Sequence, residues 1–310
     1  MGYPCSFKKK IIFILGPTAI GKSETAVYLA KKINAEIISC DSMQVYKGMD
    51  IITSMPSRIL LKKVKHHLIK AVSLQKEYDV SSFRKDVLKK VRGIIKRGKI
   101  PLIVGGAGLY AYILINGIFE QKTEDNNLRS NLYKIAKNKG SRYLHNQLKK
   151  KDPAAAGIIH PNDTRRIVRA LEVFKATGQP ISLLKKQRRG LRDKYDVKVF
   201  CLNMPREKLY KRIDSRVERM FKKGLINEVR GLFKKRLSRT ASFAIGIKEV
   251  RGYLKGDNTK EEAKDMIKLN TRRYAKRQLT WFRKDKSVIW VDIEKEQKPQ
   301  DVAERICRYI

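Results

Sequence analysis

Acidic residues are scarce in this 310-residue chain: 30 Asp and Glu stand against 71 Lys and Arg, a formal net charge of +41. Such a charge costs folding stability through self-repulsion, which makes a polyanionic partner the economical explanation. A Lys-rich composition of the source genome would account for part of the excess. Nucleic acid remains the favoured partner, and the charge also favours a monomer at low salt.

Cysteines and long apolar runs are also few. The four cysteines contain no C-x-x-C pair, which argues against a disulfide framework and a zinc site. No stretch approaches the roughly 18 apolar residues of a membrane span. A basic cluster at 8–10 precedes five apolar residues, too short a run for a signal peptide. We therefore expect a cytoplasmic protein without a membrane segment. The cysteines are Cys5, Cys40, Cys201 and Cys307.

A glycine-rich loop follows the first apolar run and precedes a helical pattern that extends to residue 32. Strand, loop and helix in this order form the setting of a P-loop, whose backbone N–H groups and lysine bind phosphate and whose hydroxyl ligates Mg²⁺. A glycine-rich turn without a ligand is the less favoured alternative. The loop predicts a di- or triphosphate site without specifying its carrier. Its residues are Gly16, Pro17, Thr18, Ala19, Ile20, Gly21, Lys22 and Ser23.

Short apolar runs alternate with helical patterns, which predicts an α/β fold with a parallel sheet core flanked by helices, like that of P-loop NTPases. Five strands are expected, at 11–15, 36–40, 100–104, 197–202 and 288–292. Strand patterns are missing between about 120 and 196, where basic helical stretches predominate. We therefore predict a catalytic core at 1–119 and 197–310 with an all-helical insertion domain at 120–196.

Residues at the ends of the predicted strands are candidates for chemistry, because ligands bind at the carboxyl edge of a parallel sheet. Asp41 could hold Mg²⁺ through water or act as a general base, or it could simply cap a turn. Asp292 resembles the Mg²⁺-binding acid of ATPases but is better interpreted as a turn residue. Gly105, Gly106 and Gly108 indicate either close backbone approach to a ligand or a tight strand-to-helix turn.

Three basic segments carry polar and aromatic residues among their Arg and Lys, at 165–169, 185–192 and 272–281. Positive charge suffices for contact with a phosphate backbone, and Tyr or Trp can stack on unpaired bases. Such runs are most often solvated surfaces. Three of them in so basic a chain favour contact with RNA or DNA.

Seven blocks of sequence span nearly the whole chain: GPTAIGKS at 16–23, DSMQVYKGMDI at 41–51, HHLI at 66–69, VGGAGLY at 104–110, RRIVRALEV at 165–173, GLINEV at 224–229 and AKRQLTW at 275–281. Together they resemble the bacterial tRNA dimethylallyltransferase family (tRNA isopentenyladenosine synthases). The second and last blocks are far more specific than the phosphate loop alone.

This resemblance implies a prenyltransferase that moves the dimethylallyl group of dimethylallyl diphosphate to N6 of the adenosine 3′ to the anticodon in tRNA. It implies that the loop holds the diphosphate, that Mg²⁺ on Ser23 and the charges of Lys22 and Arg216 stabilise its departure, and that Asp41 accepts the amine proton. The insertion would bind the anticodon stem-loop. The residues assigned to tRNA are Asp41, Ser42, Met43, Gln44, Ala107, Arg165, Arg166, Ile167, Val168, Arg169, Lys276, Arg277 and Gln278.

The sequence departs from the family pattern at Ala107, where threonine is usual, at Met55, where lysine is usual, and across 241–248. Loss of the hydroxyl at Ala107 could lower activity. Three other functions remain possible alternatives to a tRNA prenyltransferase. They are a P-loop kinase, an isopentenyltransferase acting on free adenine nucleotides, and a non-catalytic RNA-binding remnant.

Overall fold

The computed structural model describes residues 8–119, 125–294 and 297–310. The chain divides into two compact units, one comprising Met1–Ile115 and Lys194–Ile310 and the other Asn116–Asp193. The sequence-based boundaries, at 119/120 and 196/197, lie close to these limits. Cys5 and residue 120 lie outside the described residues.

A six-stranded sheet forms the centre of the first unit, with the order β3-β2-β4-β1-β5-β6 and parallel pairing throughout. This confirms the predicted α/β class, and five of the strands correspond to the five expected apolar runs. The strand at His66–His67 was not predicted, because two histidines form no apolar pattern. The strands are β1 (Lys10–Leu15), β2 (Ala35–Cys40), β3 (His66–His67), β4 (Ile100–Gly105), β5 (Asp196–Asn203) and β6 (Ile289–Asp292).

Helices cover this sheet, and the five residues from Ile11 to Leu15 in β1 are all buried, as expected where both faces of a strand are packed. Ile12 and Ile14 pack in a core with residues of the first and last helices. The helices of this unit are α1 (Lys22–Lys32), α2 (Arg58–Lys63), α3 (Val80–Lys96), α4 (Gly108–Asn116, whose last residue lies in the second unit), α11 (Arg206–Lys222), α12 (Leu225–Phe233), α13 (Ile247–Lys255), α14 (Lys260–Phe282) and α15 (Pro299–Cys307).

The second unit is helical in its described residues, apart from an isolated bridge between Ile118 and Arg189. Asp152 caps the helix that Pro153 begins, so two consecutive helices of this unit meet at these residues. The helices are α5 (Asn126–Lys139), α6 (Ser141–Lys151), α7 (Pro153–Ile158), α8 (Thr164–Thr177), α9 (Ile181–Lys186) and α10 (Leu191–Lys194), the last of which spans the boundary between the units.

A buried carboxylate ties the edge of the sheet together. Glu36 of β2 is 3% exposed in its side chain and contacts His67 Nε2 of β3 at 2.7 Å. Arg97 and Lys99 approach the same carboxylate, at 2.7 and 3.5 Å. Burial alone would raise the pKa of Glu36, but hydrogen bonds and charge from Arg97 and His67 hold it at about 2.

Replacing Glu36 by Gln should lower the free energy of unfolding by about 2 kcal/mol at pH 7. This loss of stability is smaller than the loss expected for a fully buried ion pair, because Arg97 and Lys99 reach solvent. The folded pKa of Glu36 is depressed, so its contribution is complete above the unfolded value of 4.5 and is lost as pH falls towards 2. The difference from wild type should therefore narrow by about 1 kcal/mol between pH 7 and pH 3.5 in urea denaturation.

The matched control is Glu304→Gln, which removes an exposed ion pair with Lys32 at 2.9 Å. A surface pair of this kind contributes below about 0.5 kcal/mol. Equal losses in the two variants, or a difference for Glu36→Gln that does not change with pH, would contradict the assignment.

Candidate functional site

The carboxyl edge of the sheet carries the phosphate loop. Gly16 has a φ of +149°, and a β-carbon there would lie 2.9 Å from the carbonyl oxygen of Leu202. Gly21 has a φ of +102° and directly precedes α1. Both conformations favour glycine and allow the tight turn that leads from β1 into the N-terminus of α1, where backbone N–H groups can bind an anion.

A cavity of about 920 Å³ opens in front of this loop and includes Lys22, Ser23 and Asp41 in its walls. Cations outnumber acids around it, so the cavity suits an anion. Its acidic wall residues are Glu24, Asp41 and Asp50. Its basic wall residues are Lys22, Arg58, Lys70, Lys211, Arg212, Arg216, Arg219 and Lys223.

Arg216 of α11 joins the loop to a neighbouring turn. Its guanidinium donates to Thr18 Oγ1 at 2.8 Å and to the carbonyl of Thr53 at 3.3 Å. Burial lowers the pKa of Arg216 to about 10, although Asp41 acts in the opposite direction. The arginine singled out in the sequence therefore stands at the phosphate loop, in its charged form at neutral pH.

Lys22 donates to the carbonyl of Pro17 at 2.7 Å, across the loop. Burial and the charge of Arg216 lower the pKa of Lys22 to about 8, while Asp41 raises it. Two cations thus share one cavity wall at a cost that a bound anion would relieve.

Asp41 follows β2, and its Oδ1 accepts hydrogen bonds from the N–H groups of Met43 at 2.8 Å and Gln44 at 3.2 Å. The capping role considered in the sequence is therefore real. Both bonds go to the same oxygen, and the carboxylate also lines the cavity. The carboxylate is therefore held in one orientation at the cavity wall, which is the positioning that a proton acceptor needs.

Glu228 of α12 shapes the turn that Arg216 contacts. Its carboxylate accepts hydrogen bonds from the backbone N–H groups of Asp50, Ile51 and Ile52, at 2.9, 2.8 and 2.8 Å. Glu228 lies in the sequence block at 224–229, and no role was predicted for it. The available signal was an acid placed among basic helices, which indicates a specific partner.

Gln278 of α14 is buried and bridges two loops. Its Oε1 accepts from the N–H of Thr18 at 2.9 Å, and its Nε2 donates to the carbonyl of Gly106 at 2.8 Å. The assignment of Gln278 to tRNA therefore needs correction, because its amide is already used in holding the phosphate loop to the end of β4.

The same helix explains the glycines after β4. A β-carbon at Gly106 would lie 2.1 Å from the Gln278 amide, and one at Gly108 would lie 2.6 Å from Trp281. At Gly105 it would meet the carbonyl of Cys40 at 2.0 Å. The close approach anticipated from these glycines is thus to other parts of the protein.

A second cavity, of about 250 Å³, adjoins the first: Thr18, Asp41, Arg216, Met220 and Tyr274 line both. Its other walls are largely apolar, and Ser42, Met43 and Arg277 also contribute. A small apolar cavity beside an anion site, with one carboxylate common to both, can hold two reacting groups together. The additional apolar lining residues are Ile52, Val217, Phe243, Ala244, Ile245 and Ile267.

The remaining predicted tRNA contacts fall on different surfaces. Lys276 and Arg277 are exposed on α14, and Ala107 directly precedes α4, its N–H bonded to the carbonyl of Cys40 at 3.3 Å. Gln44 lies in the wall of the larger cavity and contacts the carbonyl of Thr53 through Nε2 at 3.4 Å.

The basic segment of α8 belongs to the second unit. Arg165 and Arg166 are exposed, whereas Arg169 pairs with the buried carboxylate of Glu172 at 2.8 Å. Ile167 and Val168 were assigned to tRNA, and the structure corrects this: both lie in the hydrophobic core of the unit, with exposures of 0% and 1%, so their side chains pack and do not face solvent.

Asp292 ends the edge strand β6, is exposed, and accepts a hydrogen bond from Asn203 at 2.7 Å. It is absent from the walls of both cavities. Within the described ranges no cluster of three or more His, Cys, Asp or Glu could hold a metal ion. In the same part of the chain, no helix has the length and apolarity needed to cross a membrane.

Comparison with known proteins gives consistent matches. The family model described as IPP transferase matches residues 44–285. The tRNA dimethylallyltransferase of Geobacter sulfurreducens is 44% identical over 294 residues, 94% of each chain. That of Carboxydothermus hydrogenoformans is 47% identical over 290 residues, 93% of each chain.

Solved structures are also similar. The tRNA isopentenylpyrophosphate transferase of Bacillus halodurans superposes with a TM-score of 0.71 at 39% identity, covering 97% of this chain and 96% of that one. A eukaryotic dimethylallyltransferase acting on tRNA gives a TM-score of 0.82 at 30% identity, over 96% of this chain and 77% of that one.

If Gln278 holds the phosphate loop in place, replacing it should lower the affinity of the protein for pyrophosphate. Gln278→Met should weaken binding of inorganic pyrophosphate with Mg²⁺ about tenfold, since the loop loses one buried hydrogen bond and leaves the Gly106 carbonyl unpaired. Isothermal titration calorimetry measures the affinity. Lys276→Met, an exposed change on the same helix, should leave it within twofold. Unchanged pyrophosphate affinity in folded Gln278→Met would contradict this role.

The lowered pKa of Lys22 predicts a pH dependence. The attraction of its charge for pyrophosphate is fully present below about pH 8 and is lost as the amine deprotonates at higher pH. Pyrophosphate affinity should therefore fall between pH 7 and pH 9 relative to the Lys22→Arg variant, whose guanidinium stays charged. Ionisation of pyrophosphate itself affects both proteins alike. Parallel pH profiles for the two proteins would refute the prediction.

Proposed function

Because the chain belongs to the IPP transferase family, whose curated relatives transfer a dimethylallyl group to tRNA, it is a tRNA-modifying prenyltransferase, and we propose that its donor is dimethylallyl diphosphate. We further propose the N6 amine of the adenosine 3′ to the anticodon as the acceptor. The observation that carries this assignment is Asp41, a fixed carboxylate common to a cationic cavity and an apolar one.

In this proposal the diphosphate lies in the larger cavity. Loop N–H groups, Lys22 and Arg216 surround the space where its oxygens would sit, which is the donor set that an anion needs. The surplus of cations over acids in the cavity walls supports the same placement. Negative charge grows on the diphosphate as it leaves, so these groups stabilise the transition state more than the bound donor.

The reaction forms a bond between N6 and the allylic carbon while the bond from that carbon to the diphosphate oxygen breaks. The amine proton then passes to Asp41. Hydrogen bonds from the N–H groups of Met43 and Gln44 hold Oδ1, so the carboxylate meets the junction of the two cavities in a fixed orientation. Positioning of this kind lowers the entropic part of the barrier.

Mg²⁺ fits the donor set, because the Ser23 hydroxyl stands at the start of α1 in the wall of the anion cavity and offers a hard oxygen ligand. When bound, the ion would neutralise charge on the diphosphate. Ser23 would hold it together with the diphosphate oxygens.

The acceptor adenosine reaches Asp41 from the smaller cavity once it is flipped out of its stack. Apolar walls and the exposed cation Arg277 suit a base entering from a negatively charged strand. Lys276 on α14, and Arg165, Arg166 and Arg169 in the second unit, would contribute sequence-independent phosphate contacts.

A cytoplasmic monomer is the form we propose for the protein. The net charge of +41 disfavours self-association at low salt, and the tRNA substrate is a cytoplasmic molecule.

Asp41→Asn tests the chemical assignment. The asparagine Oδ1 can still accept from Met43 and Gln44, but the amide cannot take up the proton. Transfer of label from radiolabelled dimethylallyl diphosphate to unmodified tRNA should fall at least about 100-fold in kcat. Affinities for tRNA and pyrophosphate should stay within threefold of wild type.

Asp292→Asn serves as the control, since it changes the other acid at a strand end without touching either cavity. It should retain full activity. A wild-type rate in Asp41→Asn would remove the base assignment, and failure of the wild-type protein to label tRNA would contradict the donor and acceptor.

A further inference from the structure

Phe243 is an aromatic side chain in an unusual position. Phe243 is 68% exposed, and it also lines the small apolar cavity, of which Asp41 forms another part of the wall. The other exposed aromatic side chains in the described ranges, Tyr28, Tyr133, Tyr143 and Tyr309, line neither cavity. A phenyl ring at the rim of a reaction cavity, mostly in solvent, has a free face for a ligand.

The turn that carries Phe243 is held firmly. It is a short 3₁₀ helix, Ala241–Phe243, in which Ala241 is fully buried. The hydroxyl of Thr240 contacts the buried Tyr46 hydroxyl and the carboxylate of Glu77. Thr240, Tyr46 and Glu77 all belong to the first unit, so these contacts fix the backbone that carries the Phe243 ring.

More bonds secure the turn from the preceding residues. The N–H of Ser238 donates to the carbonyl of Leu74 at 2.7 Å, and the N–H of Arg239 donates to Glu77 at 2.6 Å. The Ser238 hydroxyl accepts from the N–H of Ala241 at 3.2 Å. A rigid aromatic surface loses little entropy on binding, so its exposure favours recognition.

Flipping one nucleotide out of a loop removes its stacking from both neighbours and leaves their faces in water. An aromatic ring at the rim of the receiving cavity can replace that stacking, and such contacts are tolerant of base identity. Arg277 lines the same cavity and places positive charge beside it, where the strand must pass. Phe243 and Arg277 together thus offer an RNA strand a stacking surface and a positive charge at the rim of this cavity.

We propose that Phe243 stacks on a base that flanks the target adenosine in the tRNA anticodon loop, and so helps to keep the adenosine flipped into the cavity. The inference rests on the proposed entry of adenosine through the small cavity. It adds a binding residue that contacts RNA outside the cavity and takes no part in the chemical step.

The test is a double-mutant cycle that measures equilibrium affinity for an anticodon stem-loop RNA. Phe243→Ala and Phe243→Leu should both weaken binding of the intact RNA about tenfold, whereas Phe243→Trp should stay within twofold of wild type. Leucine keeps apolar volume without an aromatic face, so it separates stacking from simple apolar contact. The affinity for dimethylallyl diphosphate should not change.

The second arm of the cycle uses RNAs with an abasic nucleotide at either position flanking the target. On the RNA that lacks the stacked base, wild type and Phe243→Ala should bind equally. Equal binding of the intact RNA by wild type and Phe243→Leu, or a loss in Phe243→Ala that persists on both abasic RNAs, would overturn the proposal.

Tyr309→Ala is the matched control, because Tyr309 is 57% exposed and lines neither cavity. It should bind the intact RNA as wild type does, and an equal loss there would also overturn the proposal. The readout is binding, so failure of the proposed chemistry would appear separately, as absent label transfer by the wild-type protein.

Discussion

Two cations held at one cavity wall are the constraint around which the site is organised. Lys22 and Arg216 are both partly buried, each has a lowered pKa, and Asp41 is the acid whose charge opposes that lowering in both. In the absence of an anion this arrangement is electrostatically costly. The same cost favours a ligand that brings several negative charges, as the proposed diphosphate would.

Neutral and acidic side chains from distant parts of the chain hold the cationic wall in shape. Gln278 fixes the phosphate loop to the end of β4, and Glu228 fixes the turn at residues 50–52. Arg216 then joins the two, through Thr18 and Thr53. Because these bonds join parts of the protein itself, they hold the donors in place for an anion in the cavity.

Local patterns in the sequence predicted much of this. Apolar runs identified five of the six strands, and the loop at 16–23 forms part of the wall of the cationic cavity, as its pattern predicts for an anion site. The roles of Gln278, Ile167 and Val168 could not be obtained in the same way. Gln278 lies in a basic helix, so the sequence predicts an exposed amide, and only the tertiary contacts show that it is buried. Ile167 and Val168 stand between arginines, but they belong to the core face of an amphipathic helix. Glu228 shows the same limit, because its partners lie 176 to 178 residues away.

The scarcity of acids gives the molecule its electrostatic character, because several of the few acids are used internally. Glu36 contacts His67, Arg97 and Lys99. Glu172 is fully buried and forms ion pairs with arginines of its own unit. Each of these carboxylates neutralises cations that hold the fold together, and the chain as a whole keeps 71 Lys and Arg against 30 Asp and Glu. The net charge of +41 therefore favours binding of a polyanion, such as the backbone of RNA. The internal acids thus give the chain its fold while its exterior stays attractive to a polyanion.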